Sequence, residues 1–181
     1  MNKKIIFSFC FLFACCVSVH ADSIVPLLGG DLGDGLDLSG GNVVYAVDFH
    51  GPGATIQGVA FTPDATTAGV SLTSSGLLRD FNGTINLGTS ADDNAIESII
   101  GPLNWAQYAD SLLVDLDVSP GQAYELSLIL SSANADDRIV DILLENAVVA
   151  DDLSLLTGEA TLLSHHFVAG DSTARLSLIH I

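Results

Sequence analysis

Ser111-Leu112-Leu113-Val114-Asp115-Leu116-Asp117-Val118-Ser119-Pro120-Gly121-Gln122-Ala123-Tyr124-Glu125-Leu126-Ser127-Leu128-Ile129-Leu130-Ser131 decides the fold class. Leu112, Val114, Leu116 and Val118 recur at period two against Leu113, Asp115 and Asp117. After Pro120-Gly121, Tyr124, Leu126, Leu128 and Leu130 do the same against Glu125, Ser127, Ile129 and Ser131. Successive side chains of a strand point to opposite faces, so each run predicts a strand with one buried face. With a turn dipeptide between them, the two runs predict a hairpin of adjacent antiparallel strands.

The same reading extends outward in both directions. Val43, Tyr45, Val47 and Phe49 share one face of a strand over 42–49, closed by the turn His50-Gly51-Pro52-Gly53. Further strands are expected over 55–61, 138–145, 147–150, 161–169 and 173–180, with shorter ones over 70–72 and 84–87. Asn134 to Asp137 reads as a polar loop. One helical segment is expected over 92–100, capped by Asp92 or Asp93 and stopped by Gly101-Pro102. Short strands with regular turns and at most one short helix predict an all-β fold. The expected architecture is two antiparallel sheets packed face to face, a jelly-roll sandwich. Neither an internal repeat nor a second domain is visible.

Composition narrows the function classes. The chain has 181 residues, with 22 Asp and Glu against 5 Lys and Arg, a net charge of −17, and 49% hydrophobic residues. That apolar content excludes an acidic disordered tail. The lack of clustered cations argues against a nucleic-acid partner.

The first 21 residues have the layout of a secretory signal peptide. Lys3 and Lys4 precede the uncharged run Ile5 to Ala14, and Val19-His20-Ala21 places small residues where a signal peptidase cuts, between Ala21 and Asp22. The run is short for a membrane span. A competing reading takes Leu12-Phe13-Ala14-Cys15 as a lipoprotein box with a lipid anchor at Cys15, although Phe13 is bulky for it. Cleavage at 21 removes Cys10, Cys15, Cys16 and both lysines, leaving Arg79, Arg138 and Arg175 against all 22 acids. The mature protein then has neither thiol nor disulfide and is expected outside the cytoplasm, secreted or at the cell surface or in the periplasm. No transmembrane helix is expected in it.

Residues 22–41 form a Gly/Asp-rich lead-in, and residues 42–181 form the sandwich domain. Asp31, Asp34 and Asp37 sit among glycines in the lead-in, and Asp92, Asp93 and Glu97 sit at the helical segment. Carboxylates on permissive loops are calcium ligands by chemistry, since calcium takes several hard oxygens. A flexible acidic lead-in and a helix cap are the simpler readings, because neither segment has an established calcium spacing. His165 and His166 are adjacent on a strand, point to opposite faces and cannot share a metal. Tyr45, Phe49 and Tyr124 lie on aliphatic faces and belong to the core, whereas Trp105 and Tyr108 lie outside clear alternation. These two are the candidate sugar-stacking platform. No nucleophile elbow, zinc-protease motif or phosphate loop is present in the sequence, so a non-catalytic role is expected.

One family resemblance adds to this reading. Asn42-Val43-Val44-Tyr45-Ala46-Val47-Asp48-Phe49, Gly121 to Leu128, Arg138-Ile139-Val140-Asp141-Ile142 leading to Glu145-Asn146-Ala147-Val148, Asp151-Asp152 and Ala174-Arg175-Leu176-Ser177-Leu178 resemble, in order and spacing, the malectin-like domains of the galactose-binding-like sandwich group. Asp93 to Ser98 is similar to a segment in exported bacterial relatives of that domain. The resemblance spans about residues 42–180 and implies fold more than activity. The family's Asn-Gly turn is Asn146-Ala147 here, and its sugar-contacting aromatics match no position in this chain. Its domain continues with one more strand, whereas Leu178-Ile179-His180-Ile181 ends mid-strand. The resemblance therefore implies a last strand that is lacking, or an open edge covered by a partner.

The function expected is an exported, non-catalytic module that binds carbohydrate of a cell wall or exopolysaccharide. The alternatives are a structural or adhesive surface protein with calcium-binding acidic loops, and an accessory domain of a hydrolase.

Overall fold

The computed structural model describes residues 3–8, 11–14, 23–40, 42–106, 110–132 and 137–181. In chain order its strands are β1 (Lys3–Ser8), β2 (Phe11–Ala14), β3 (Ser23–Pro26), β4 (Asn42–Asp48), β5 (Ala54–Ile56), β6 (Val59–Pro63), β7 (Val70–Ser74) and β8 (Leu78–Asn82). There follow α1 (Ala91–Ile100), then β9 (Pro102–Ala106), β10 (Ser111–Asp117), β11 (Ala123–Ser131), β12 (Arg138–Leu144), β13 (Ala147–Leu155), β14 (Ala160–Val168) and β15 (Thr173–His180).

The strands build an all-β sandwich, as the alternation predicts. One sheet has the order β3-β14-β11-β1-β4-β6-β5, with β2 paired to β1; the other has the order β13-β12-β15-β10-β7. A separate ribbon pairs β8 with β9. The smaller sheet is antiparallel throughout. The larger one is mixed, because β1 runs parallel to both β11 and β4, and β4 runs parallel to β6.

The predicted hairpin is not formed. β10 pairs with β15 and β7 in one sheet, and β11 pairs with β14 in the other. Pro120-Gly121 instead carries the chain across the sandwich. Beside it, the link from β14 to β15 makes the same crossing. The two crossings are joined by hydrogen bonds from Gly121 N to Ala169 O (2.8 Å), from Ala169 N to Gln122 O (3.0 Å) and from Val118 N to Ser172 O (3.0 Å). The Tyr124 hydroxyl accepts a hydrogen bond from Ser119 N at 2.9 Å and pins the corner, much as a tyrosine corner does in other sandwiches. The apolar faces of β10 and β11 therefore meet across the core. Leu112, Val114 and Leu116 pack in one cluster with Tyr124, Leu126, Leu128, Leu130, Val47 and Phe49.

A second core lies on the outer face of the larger sheet. Ile129 of β11 and Ala160 and Leu162 of β14 turn outward onto Ile96, Ile99 and Ile100 of α1 and onto Leu27, Leu36 and Leu38. The Gly/Asp-rich segment is thus not a loose lead-in. Leu27, Leu36 and Leu38 are buried to 4% exposure or less, whereas Leu28 and Leu32 remain exposed. Gln57 ties it down, because its amide donates to Gly30 O (2.9 Å) and Leu36 O (2.7 Å) while its carbonyl accepts from Leu38 N (2.9 Å).

Local differences from expectation have local causes. α1 is capped by Ser90, with Asp93 at the third helical position completing a capping box, so neither Asp92 nor Asp93 is the cap itself. The short strand expected over 84–87 is not formed, while β8 and β9 are. Gly101 closes the helix as predicted. The polar loop expected from Asn134 lies mostly outside the described residues. Among the described residues no helix is long and apolar enough to cross a membrane.

Candidate functional site

Trp105 stands on β9, with Arg79 of β8 opposite it in the ribbon register. Asn104 and Ala106 on the same strand are buried, whereas Trp105 is half-exposed. The ribbon closes the end of the sandwich where α1, β10, β11 and the smaller sheet converge. Beneath it lies a cavity of about 80 Å³, room for several water molecules. Its walls are apolar: Phe81, Ile99, Leu112, Leu130, Val140 and Leu178. Polar groups converge from different elements, namely Asn104 and Trp105 of the ribbon, Ser132 after β11, Arg138 of β12 and His180 of β15.

Two buried polar atoms lining this cavity have no hydrogen-bond partner among the described residues: Asn104 Oδ1 and Ser132 Oγ. Leaving such an atom unsatisfied costs about 1–3 kcal/mol, so Asn104 Oδ1 is poised to accept from, and the Ser132 hydroxyl to accept from or donate to, a molecule that enters. At the mouth, the Arg138 guanidinium carbon lies 4.8 Å from the Trp105 ring centroid, and that of Arg79 lies 5.7 Å away. Both are within cation–π range. The ring is thereby held at the rim with guanidinium donors beside it. Burial, with the charge of Arg138 in second place, holds His180 below the usual histidine value, so the cavity wall carries a neutral imidazole at pH 7. An apolar cavity with a few convergent polar groups has the make-up in which small ligands are commonly held. Tyr108, the second predicted platform residue, lies outside the described residues.

The acidic candidates divide. Asp31, Asp34 and Asp93 each offer a carboxylate oxygen, and the three lie within 4.8 Å of one another. Asp93 is the buried member of this group. Its Oδ1 accepts from Gly30 N at 2.9 Å and its Oδ2 from Ser90 N at 3.0 Å. These bonds, the Gly30 amide first, hold its carboxyl below the usual aspartate value. The approach of the loop requires glycine, since a Cβ on Gly29 would lie 2.5 Å from Asp93 Oδ1. The other three acids are engaged elsewhere. Asp37 accepts from Ser39 N (2.8 Å), Asp92 from Gln57 N (3.1 Å), and Glu97 from Leu87 N (2.6 Å) and Gly88 N (3.3 Å).

His50, His165 and His166 do not come together in a site. His165 and His166 are neighbours on β14 with opposite-facing side chains, and His166 Nε2 lies 3.8 Å from Glu125 Oε2. His50 is a turn residue with φ +96°. The polar residues of the cavity escaped sequence reasoning. Asn104 and Ser132 carry no motif, and Arg138 enters the sequence reading as a strand start and part of the family resemblance, not as a site residue. No family model, no curated protein and no solved structure matches this chain.

Proposed function

We propose that the protein is an exported, non-catalytic module that binds carbohydrate at the Trp105 cavity. The observation that carries this reading is the pairing of a rim tryptophan with two buried, unpartnered polar atoms, Asn104 Oδ1 and Ser132 Oγ. A sugar presents an apolar C–H face and a ring of hydroxyls. The first suits the Trp105 edge and the aliphatic wall, and the second suits Asn104, Ser132 and the guanidinium of Arg138. The malectin-like resemblance and the signal-peptide layout of residues 1–21 favour the same reading. Trp105 is the chain's only tryptophan, so its emission reports on the cavity directly. Titration with cell-wall and exopolysaccharide fragments tests the proposal. A saturable change in emission supports it, and an emission indifferent to millimolar ligand overturns it.

A second reading, a surface protein stabilised by calcium, is favoured by one observation: Asp31 and Asp34 converge on Asp93. Calcium takes about 6–8 oxygens, so backbone carbonyls and water would complete such a shell. A melting temperature that rises with added calcium supports it, and one that does not counts against it.

A further inference from the structure

Strand β1 occupies the middle of the larger sheet. Ile5, Ile6 and Phe7 register with Leu126, Ser127 and Leu128 of β11, and Ile6, Phe7 and Ser8 register with Ala46, Val47 and Asp48 of β4. β4 and β11 are not paired to each other. Yet residues 3–8 belong to the segment with the layout of a signal peptide. Export with cleavage at Ala21 removes β1 and leaves a slot one strand wide, about 10 Å between the facing strands.

That slot cannot stay open to water at no cost. Its edges carry Leu126, Ser127, Leu128 and Val47, all at 0% exposure. It would bare two rows of backbone N–H and C=O groups in the centre of a sheet, where each needs a partner. Within residues 23–181 no described strand is spare, because each already holds a place in one of the sheets or the ribbon. The undescribed segments 107–109 and 133–136 are too short to replace six residues.

We infer that, in the exported protein, the slot between β4 and β11 is a strand-acceptor site that takes an extended segment of a second polypeptide with apolar residues at the alternate positions facing the core. The inference rests on the export reading. β1 marks the position and length of that segment. Positions of the donor in register with Leu126 and Leu128 lie on the core side of the sheet and must be apolar. β4 and β11 run the same way, both being parallel to β1. A donor lying antiparallel to both would match the pairing of β11 with β14 and form the slightly stronger ladder. Main-chain bonds on two sides supply affinity, and the alternating apolar positions supply selectivity.

The test expresses the full chain with its own leader in an exporting host, then reads the N-terminus of the purified product by intact mass. Amide exchange over 43–47 and 126–128 is followed with and without a synthetic peptide of residues 3–8, with a scrambled peptide as control. The expected result is a product beginning at Asp22 whose amides there exchange fast and slow by about tenfold or more with the peptide. A product beginning at Asp22 whose amides are already protected, or that the peptide neither orders nor protects, overturns the inference and leaves the export reading standing. A product that retains residues 3–8 overturns both, since its own strand then fills the slot.

Discussion

The buried carboxylate of Asp93 accepts the backbone N–H of Gly30 at 2.9 Å, bridging 63 residues of chain. One side chain thereby joins the Gly-rich segment to the first turn of α1, where its other oxygen takes Ser90 N. Asp93→Ala leaves both donors without their acceptor and opens a gap between loop and helix. The expected outcome is a lower melting temperature, with faster amide exchange in residues 27–38 than in the sandwich core.

The same residue sets a pH dependence. Its folded-state pKa lies below the ordinary value of 3.8. The stabilisation it gives is therefore complete above that value and is lost as the pH falls below it through the lowered native value. Melting curves from pH 5 down to pH 2 check this. Asp93→Asn should lose stability less steeply than the parent chain over that window.

Leu116 of β10 is fully buried in the central cluster, with β11 packed from the opposite sheet. Leu116→Ala is expected to cost about 2–5 kcal/mol in chemical denaturation, through lost transfer energy and the cavity left behind. Leu113, on the other face of the same strand, is only half-buried. Leu113→Ala should cost clearly less.

Asp48 is fully buried, and its carboxylate accepts Gly51 N at 3.0 Å and Gly53 N at 2.7 Å. It holds the turn that the sequence announces as His50-Gly51-Pro52-Gly53. Asp48→Ala leaves two amide donors unsatisfied and is expected to destabilise by about 1–3 kcal/mol.

How much of this was legible depends on what each residue's neighbours reveal. Strands with one buried face were readable because Leu112, Val114 and Leu116 alternate with polar or half-exposed positions. Their partners were not. Period two fixes a face, not a neighbour, and Pro120-Gly121 serves a sheet-to-sheet corner as well as a hairpin. β9 was invisible because its inward residues are Asn104 and Ala106 while Trp105 faces the rim, the reverse of hydrophobic alternation. The capping box Ser90-x-x-Asp93 was misread as a cap at Asp92 or Asp93, because either aspartate can cap by chemistry and only the helix start decides between them and Ser90. The convergence of Asp31 and Asp34 on Asp93 was not legible, because it joins segments some sixty residues apart in the chain. Trp105 stands out in the sequence as a platform residue, but Ser132 and Arg138 come from separate parts of the chain that only the fold brings to it and to its strand neighbour Asn104.

Carbohydrate binding at the Trp105 cavity, as proposed, is read out by titrating Trp105 emission with cell-wall and exopolysaccharide oligosaccharides. The expected result is a saturable change in emission. Affinity, read by calorimetry, is expected to fall by about tenfold or more in Trp105→Ala, with Asn104→Ala weaker as well and the fold retained. Equal affinity in the parent and Trp105→Ala chains, or no response to any of these sugars at millimolar concentration, would contradict it.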